Sequence, residues 1–118
     1  MSTIANVVVV LIALLHVYIL VLEMFLWDKP AGLRAFGQTP DAAKATRVLA
    51  ANQGLYNGFL AAGLFWGLGL GANGTGVKVF FLCCVLAAGL YGALTASRKI
   101  LFIQAVPAAI GLALVLLS

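Results

Sequence analysis

Charged side chains are scarce in this chain: ten of its 118 residues, seven basic and three acidic. A soluble domain of this length needs far more polar surface to stay dispersed, so the shortage argues against that class. Histidine occurs once, at position 16. A metal centre would need a second close ligand, and Glu23 lies too far along the same helix to serve, so no metal is expected. Cysteine occurs only as the neighbours Cys83 and Cys84. Adjacent cysteines rarely reach disulfide geometry, and no C-x-x-C pair offers thiol redox chemistry; both read as small core residues. No basic stripe carries interleaved aromatics, so nucleic acid is not an expected partner. No serine or cysteine stands at helical spacing from His16, and no nucleophile–base pair is visible. The first apolar run has no basic residue before it and no A-x-A-like site after it. It reads as a retained helix and not as a removed signal peptide.

Apolar residues make up 64% of the chain, in runs of roughly 20, the length that a bilayer-spanning helix requires. Four such spans are expected, at about 4–27, 44–70, 77–96 and 100–117. The predicted fold is all-α: a single domain over 1–118, an integral membrane bundle of four antiparallel, up-down transmembrane helices. The first connection, DKPAGLRAFGQTPDAAKATR, is the one sizeable loop, broken up by Pro30, Gly32, Gly37 and Pro40. Within it Thr39-Pro40-Asp41 resembles a helix start, and Leu33 and Phe36 suit a membrane interface. The second connection, GANGTG, is a glycine turn, and its Asn73-Gly74-Thr75 reads as turn chemistry and not as a glycosylation site. The third, SRK, is so short that the flanking helices should be antiparallel neighbours. Lys29, Arg34, Lys44, Arg47, Arg98 and Lys99 flank the first and third connections, against Lys78 alone on the other side. The positive-inside rule then puts those two connections in the cytoplasm and both termini outside it, in a multi-pass protein of the inner (plasma) membrane.

Polar residues in such spans need an explanation. His16 and Glu23 are seven residues apart, so they share a helix face with Leu20 and Trp27. A charge in a membrane helix costs about 3 kcal/mol on insertion scales unless it finds a partner or water. Glu23 therefore reads either as a snorkelling interfacial acid or as a buried acceptor beside Arg47; His16 reads as one hydrogen bond between helices. The second span carries Asn52, Gln53 and Asn57 beside a ladder of small residues, Ala50, Gly54, Gly58 and Ala62. The ladder suits close helix packing. Three amides are too many for a lipid-facing surface, and each must find a hydrogen bond. Tyr91, Thr95 and Gln104 fall in the same half of the bundle, and Pro107 should kink the last helix just beyond Gln104. The expected site is a cytoplasm-facing polar cleft over an apolar base, built from Glu23, Arg47, Asn52, Gln53, Asn57, Tyr91 and Gln104.

Two stretches, HVYILVLEMFLW and AANQGLYNGFLAAGL, together resemble domain-of-unknown-function family 1304, small four-span bacterial membrane proteins. That resemblance covers nearly the whole chain and implies no established activity. More distantly, RVLAANQGLYN resembles the second-helix signature of the membrane-associated proteins in eicosanoid and glutathione metabolism, four-helix trimers with sites between subunits. Arg47 and Ala51 match that signature. Asn52 stands where a histidine is common, Gly54 replaces an asparagine and Asn57 a glutamate, and the further arginines that would hold glutathione are missing. The likeness implies architecture and leaves thiol transfer unsupported.

Three functions compete. A polar cleft over an apolar floor suits a protein that binds, or acts on, an amphiphilic small molecule or lipid; catalysis there would rest on polarisation by Arg47, Tyr91 and the amides. A glutamate in the first span also suits a small proton-coupled transporter of the multidrug-resistance type, although polar residues on one side of the membrane fit alternating access poorly. The small-residue ladder would suffice for a structural or assembly subunit. Four short helices bury few of their own faces, so a homo-oligomer is expected. The identity of any cofactor is left open by the sequence.

Overall fold

The computed structural model describes residues 2–118. Its secondary structure is helical throughout, with no strand among the described residues. Five α-helices follow one another: α1 Ser2–Met24, α2 Pro30–Phe36, α3 Pro40–Gly69, α4 Thr75–Thr95 and α5 Val106–Leu116. A 3-10 turn, Gly71–Gly74, leads into α4, and a π-helical turn, Leu101–Ala105, leads into α5. Two stretches are long and apolar enough to cross a membrane, Ser2–Met24 and Gly71–Thr95. The other two expected spans do not reach that mark. Helix α3 has 30 residues, but the amides and glycines of its middle dilute its apolar character. The stretch Leu101–Leu116 is apolar but shorter.

The chain forms two compact units, Leu14–Ala61 and the N-terminal segment through Ala13 together with Ala62–Ser118. In the first unit, the end of α1 and the start of α3 run antiparallel. Gly58 faces Leu20, Gly54 faces Glu23 and Met24, and Thr46 faces Trp27; numbers rise on one helix as they fall on the other. The first connection is not an open loop, since α2 occupies its middle. Proline at the first turn pre-sets the helical φ and lacks only an N–H that would be unpaired there. Gly37, at φ 61°, closes α2 in the left-handed conformation that glycine adopts without steric cost. The Trp27 and Phe36 rings meet at 4.7 Å and fix α2 to the end of α1. Thr39 Oγ1 then accepts the Ala42 N–H at 3.2 Å and caps α3, whose first turn holds Pro40 and Asp41.

In the second unit α4 and α5 are antiparallel and very close. A Cβ on Gly89 would stand 2.7 Å from the Ala105 backbone nitrogen, Gly92 faces Ile100, and Gly111 faces Leu82. A π turn, Leu101–Ala105, stands just before Pro107, where the sequence led to the expectation of a kink. Proline has no N–H to offer the preceding turn, and a wider turn relieves that mismatch. At the start of α4 the Lys78 ammonium is buried and donates to Asn6 Oδ1 of α1 at 3.0 Å. Cys83 and Cys84 are both free.

Burial follows helical periodicity. On α1 the buried positions are Ala5, Val9, Ile12, Ala13, His16, Leu22 and Glu23, and Ala5, Val9, Ile12, His16 and Glu23 among them follow steps of three, four and seven along one face. The core consists largely of small or β-branched residues, while Leu11, Tyr18, Phe25, Leu55, Phe59, Trp66 and Phe80 point outward.

Candidate functional site

The polar residues of Leu14–Ala61 fall into a buried pair and an open cleft. Glu23, in the last turn of α1, is 2% exposed, and its Oε1 accepts a hydrogen bond from Asn57 Nδ2 at 2.5 Å. Asn57 lies in the middle of α3 and is 7% exposed. Gly54, one turn earlier, is what lets the helices approach: a Cβ there would fall 2.7 Å from Met24 Cγ and 3.0 Å from Glu23 Cβ. The amide N–H supplies the hydrogen-bond partner that a buried acid group requires. His16, one stripe position earlier on α1, is fully buried.

The sequence placed Glu23 beside Arg47; the structure gives each a different partner. Arg47 lies ten residues before Asn57 on α3, about 15 Å along the axis, so it stands level with the chain beyond α1. There its Nη1 is 3.6 Å from Asp28 Oδ2. Trp27 Nε1 donates to Thr46 Oγ1 at 3.1 Å, and that hydroxyl donates onward to the Ala42 carbonyl at 2.9 Å. The segment following α1 is thereby tied to the first turns of α3.

Against this segment lies a cleft of about 380 Å³, lined by Met24, Phe25, Trp27, Asp28, Lys29, Arg47, Val48, Ala51 and Asn52. That volume is in the range of small-molecule sites. Of the predicted residues Arg47 and Asn52 line it. Glu23 does not, because it is enclosed with Asn57. Asn52 turns its amide back onto the Val48 carbonyl at 2.9 Å. Gln53 is exposed on α3: four residues before Asn57, it sits about 40° around the helix on the side away from Gly54. Tyr91 and Gln104 belong to the other compact unit. Tyr91 is exposed on α4, and its carbonyl accepts from Thr95 Oγ1 at 2.7 Å. Gln104 is half-buried in the π turn. Among the described residues no group of three or more His, Cys, Asp or Glu could hold a metal ion.

Sequence reasoning used Trp27 as a stripe residue at the end of the first span and gave neither Trp27 nor Asp28 a place in the site. The missed signal was the run Trp27-Asp28-Lys29 immediately before a helix-initiating proline, which concentrates both charge signs and an aromatic at the mouth of the cleft.

No solved structure matches the chain significantly. The "Uncharacterized protein YpaA" of Lactococcus lactis subsp. lactis (strain IL1403) is 29% identical over 106 residues, which span 88% of this chain and 89% of that protein. A match over residues 10–116, including both the buried Glu23–Asn57 pair and the cleft, places the chain in the family described as "Protein of unknown function (DUF1304)".

Proposed function

We propose that this is a multi-pass protein of the inner membrane that binds an amphiphilic small molecule or lipid in the cleft beside Arg47. The single observation that supports it is the cleft's composition. Asp28, Lys29 and Arg47 share about 380 Å³ with Met24, Phe25, Val48 and Ala51, so one molecule can meet charge at its head and hydrocarbon along its tail. In this reading α1, α3, α4 and the Leu101–Leu116 stretch all span, with both termini outside the cytoplasm and the cleft at the cytoplasmic interface. The outward-facing Leu, Phe and Trp side chains then meet lipid or a second copy of the chain. Trp27 sits at the depth that amphipathic rings favour, and α2, with Arg34 in its last turn, lies along the interface.

Native mass spectrometry of protein released gently from its own membranes tests the proposal. Wild-type protein should retain a small amphiphile. Ala51→Phe, which fills part of the cleft, should lose it, while Leu55→Phe on the outward face should keep it. Equal retention by both variants would contradict the assignment.

The buried carboxylate in α1 favours a second reading, a small proton-coupled transporter. Uptake of a cationic dye into proteoliposomes, driven by a proton gradient and abolished in Glu23→Gln, would support it in place of a static binding site.

A further inference from the structure

From the charges that remain unsatisfied in the cleft, we infer that its ligand is an oxyanion carried on an alkyl chain. This rests on the reading of the cleft as an amphiphile site and adds the sign of the headgroup.

The polar groups lining the cleft divide into those already engaged and those that are not. Trp27 spends its one N–H on Thr46. Asn52 turns its amide nitrogen onto the Val48 carbonyl. Asp28, with its side chain 25% exposed, is the more enclosed partner of its ion pair; Arg47, at 63%, is the more open. The Asp28–Arg47 separation of 3.6 Å is longer than a hydrogen bond. A guanidinium carries five N–H donors in a planar fork, so most of its donor capacity remains. Lys29 lines the same cleft and is exposed. Two cations thus face one anion, and apart from the second Asn52 amide N–H the uncommitted side-chain donors are cationic. Glu23 does not restore the balance, because it is buried against Asn57 and lies outside the lining. A neutral or zwitterionic head would leave one positive charge uncompensated at a partly desolvated mouth. A phosphate monoester or carboxylate would accept from the guanidinium fork and the ammonium together. The chain has its own partners in Met24, Phe25, Val48 and Ala51.

The experiment uses full-length protein in phosphatidylcholine nanodiscs, with Trp66→Phe leaving Trp27 as the fluorescent reporter. Dodecyl phosphate, dodecylphosphocholine and inorganic phosphate are titrated separately. Dodecyl phosphate should saturate about tenfold more tightly than dodecylphosphocholine, the scale of one charge-assisted hydrogen bond. Arg47→Gln and Lys29→Gln should each remove most of that preference, and added salt should weaken it. Asp28→Asn should strengthen dodecyl phosphate binding several-fold, because it frees the guanidinium and raises the local positive charge; a residue that only shaped the cleft would not produce a gain. Equal affinity for the two dodecyl compounds, still blocked by Ala51→Phe, overturns the anionic head and leaves the amphiphile site standing. Free phosphate binding as tightly as its dodecyl ester overturns the chain-bearing part. Saturation by none of the three overturns this inference and the amphiphile reading together.

Discussion

Glu23 and Asn57 are separated by 34 residues and joined by one buried hydrogen bond. Removing the donor leaves the enclosed acid group without its partner, and such orphaning costs about 1–3 kcal/mol. Asn57→Leu should therefore lower the melting temperature in mild detergent clearly. Glu23→Gln, which keeps an acceptor in place, should lower it less. A double-mutant cycle between Glu23→Gln and Asn57→Leu should show coupling of roughly 0.5–3 kcal/mol. The same cycle between Glu23→Gln and Arg47→Gln should be additive within about 0.5 kcal/mol; strong coupling there would restore the pairing first expected. The residue scale shows what spacing can and cannot give. Seven residues between His16 and Glu23 were enough to place both on the buried face. The partner of Glu23 depended on which residue of an antiparallel helix comes level with it, and no local pattern encodes that.

Between elements, glycine positions decide how closely helices approach, but not as the four-residue ladder suggested. Each four-residue step drifts about 40° around a helix of 3.6 residues per turn. Ala50 and Gly54 are buried, Gly58 is half-buried and Ala62 is exposed, while the buried stripe continues through Asn57, Ala61 and Leu64. The consequences differ by site. At Gly58 a Cβ would meet only the tip of the flexible Leu20 side chain. Gly58→Ala should be neutral or slightly stabilising, since alanine gains about 1 kcal/mol of helix propensity. At Gly89 the obstacle is the Ala105 backbone, and Gly89→Ala should destabilise by roughly 1–3 kcal/mol despite the same gain in propensity. Melting temperatures of the two variants check the contrast; matched shifts would mean that α4 and α5 are not held that closely. Helix α2 was hidden for a different reason. A seven-residue helix carries too few turns for a periodic signal, and only its end marks, Pro30 and Gly37, were legible. The start of α3 at Thr39-Pro40-Asp41 was legible because capping chemistry is local.

For the whole molecule, composition carried the all-α assignment, and two stretches meet the length and apolarity of a membrane span. Sequence alone also grouped the polar residues into one site; within Leu14–Ala61 the chain divides them between a buried pair and a cleft, and Tyr91 and Gln104 belong to the other compact unit. The central claim is that the cleft beside Arg47 opens at the cytoplasmic surface of a membrane-spanning protein. Lys29 lines that cleft and is exposed, so a single cysteine there, in a Cys83→Ser, Cys84→Ser background, reports on insertion and orientation at once. A membrane-impermeant maleimide should label Lys29→Cys in inside-out vesicles and leave it unlabelled in intact cells, with the protein sedimenting entirely with membranes. Labelling in intact cells, or recovery of the protein in the soluble fraction, would contradict the account.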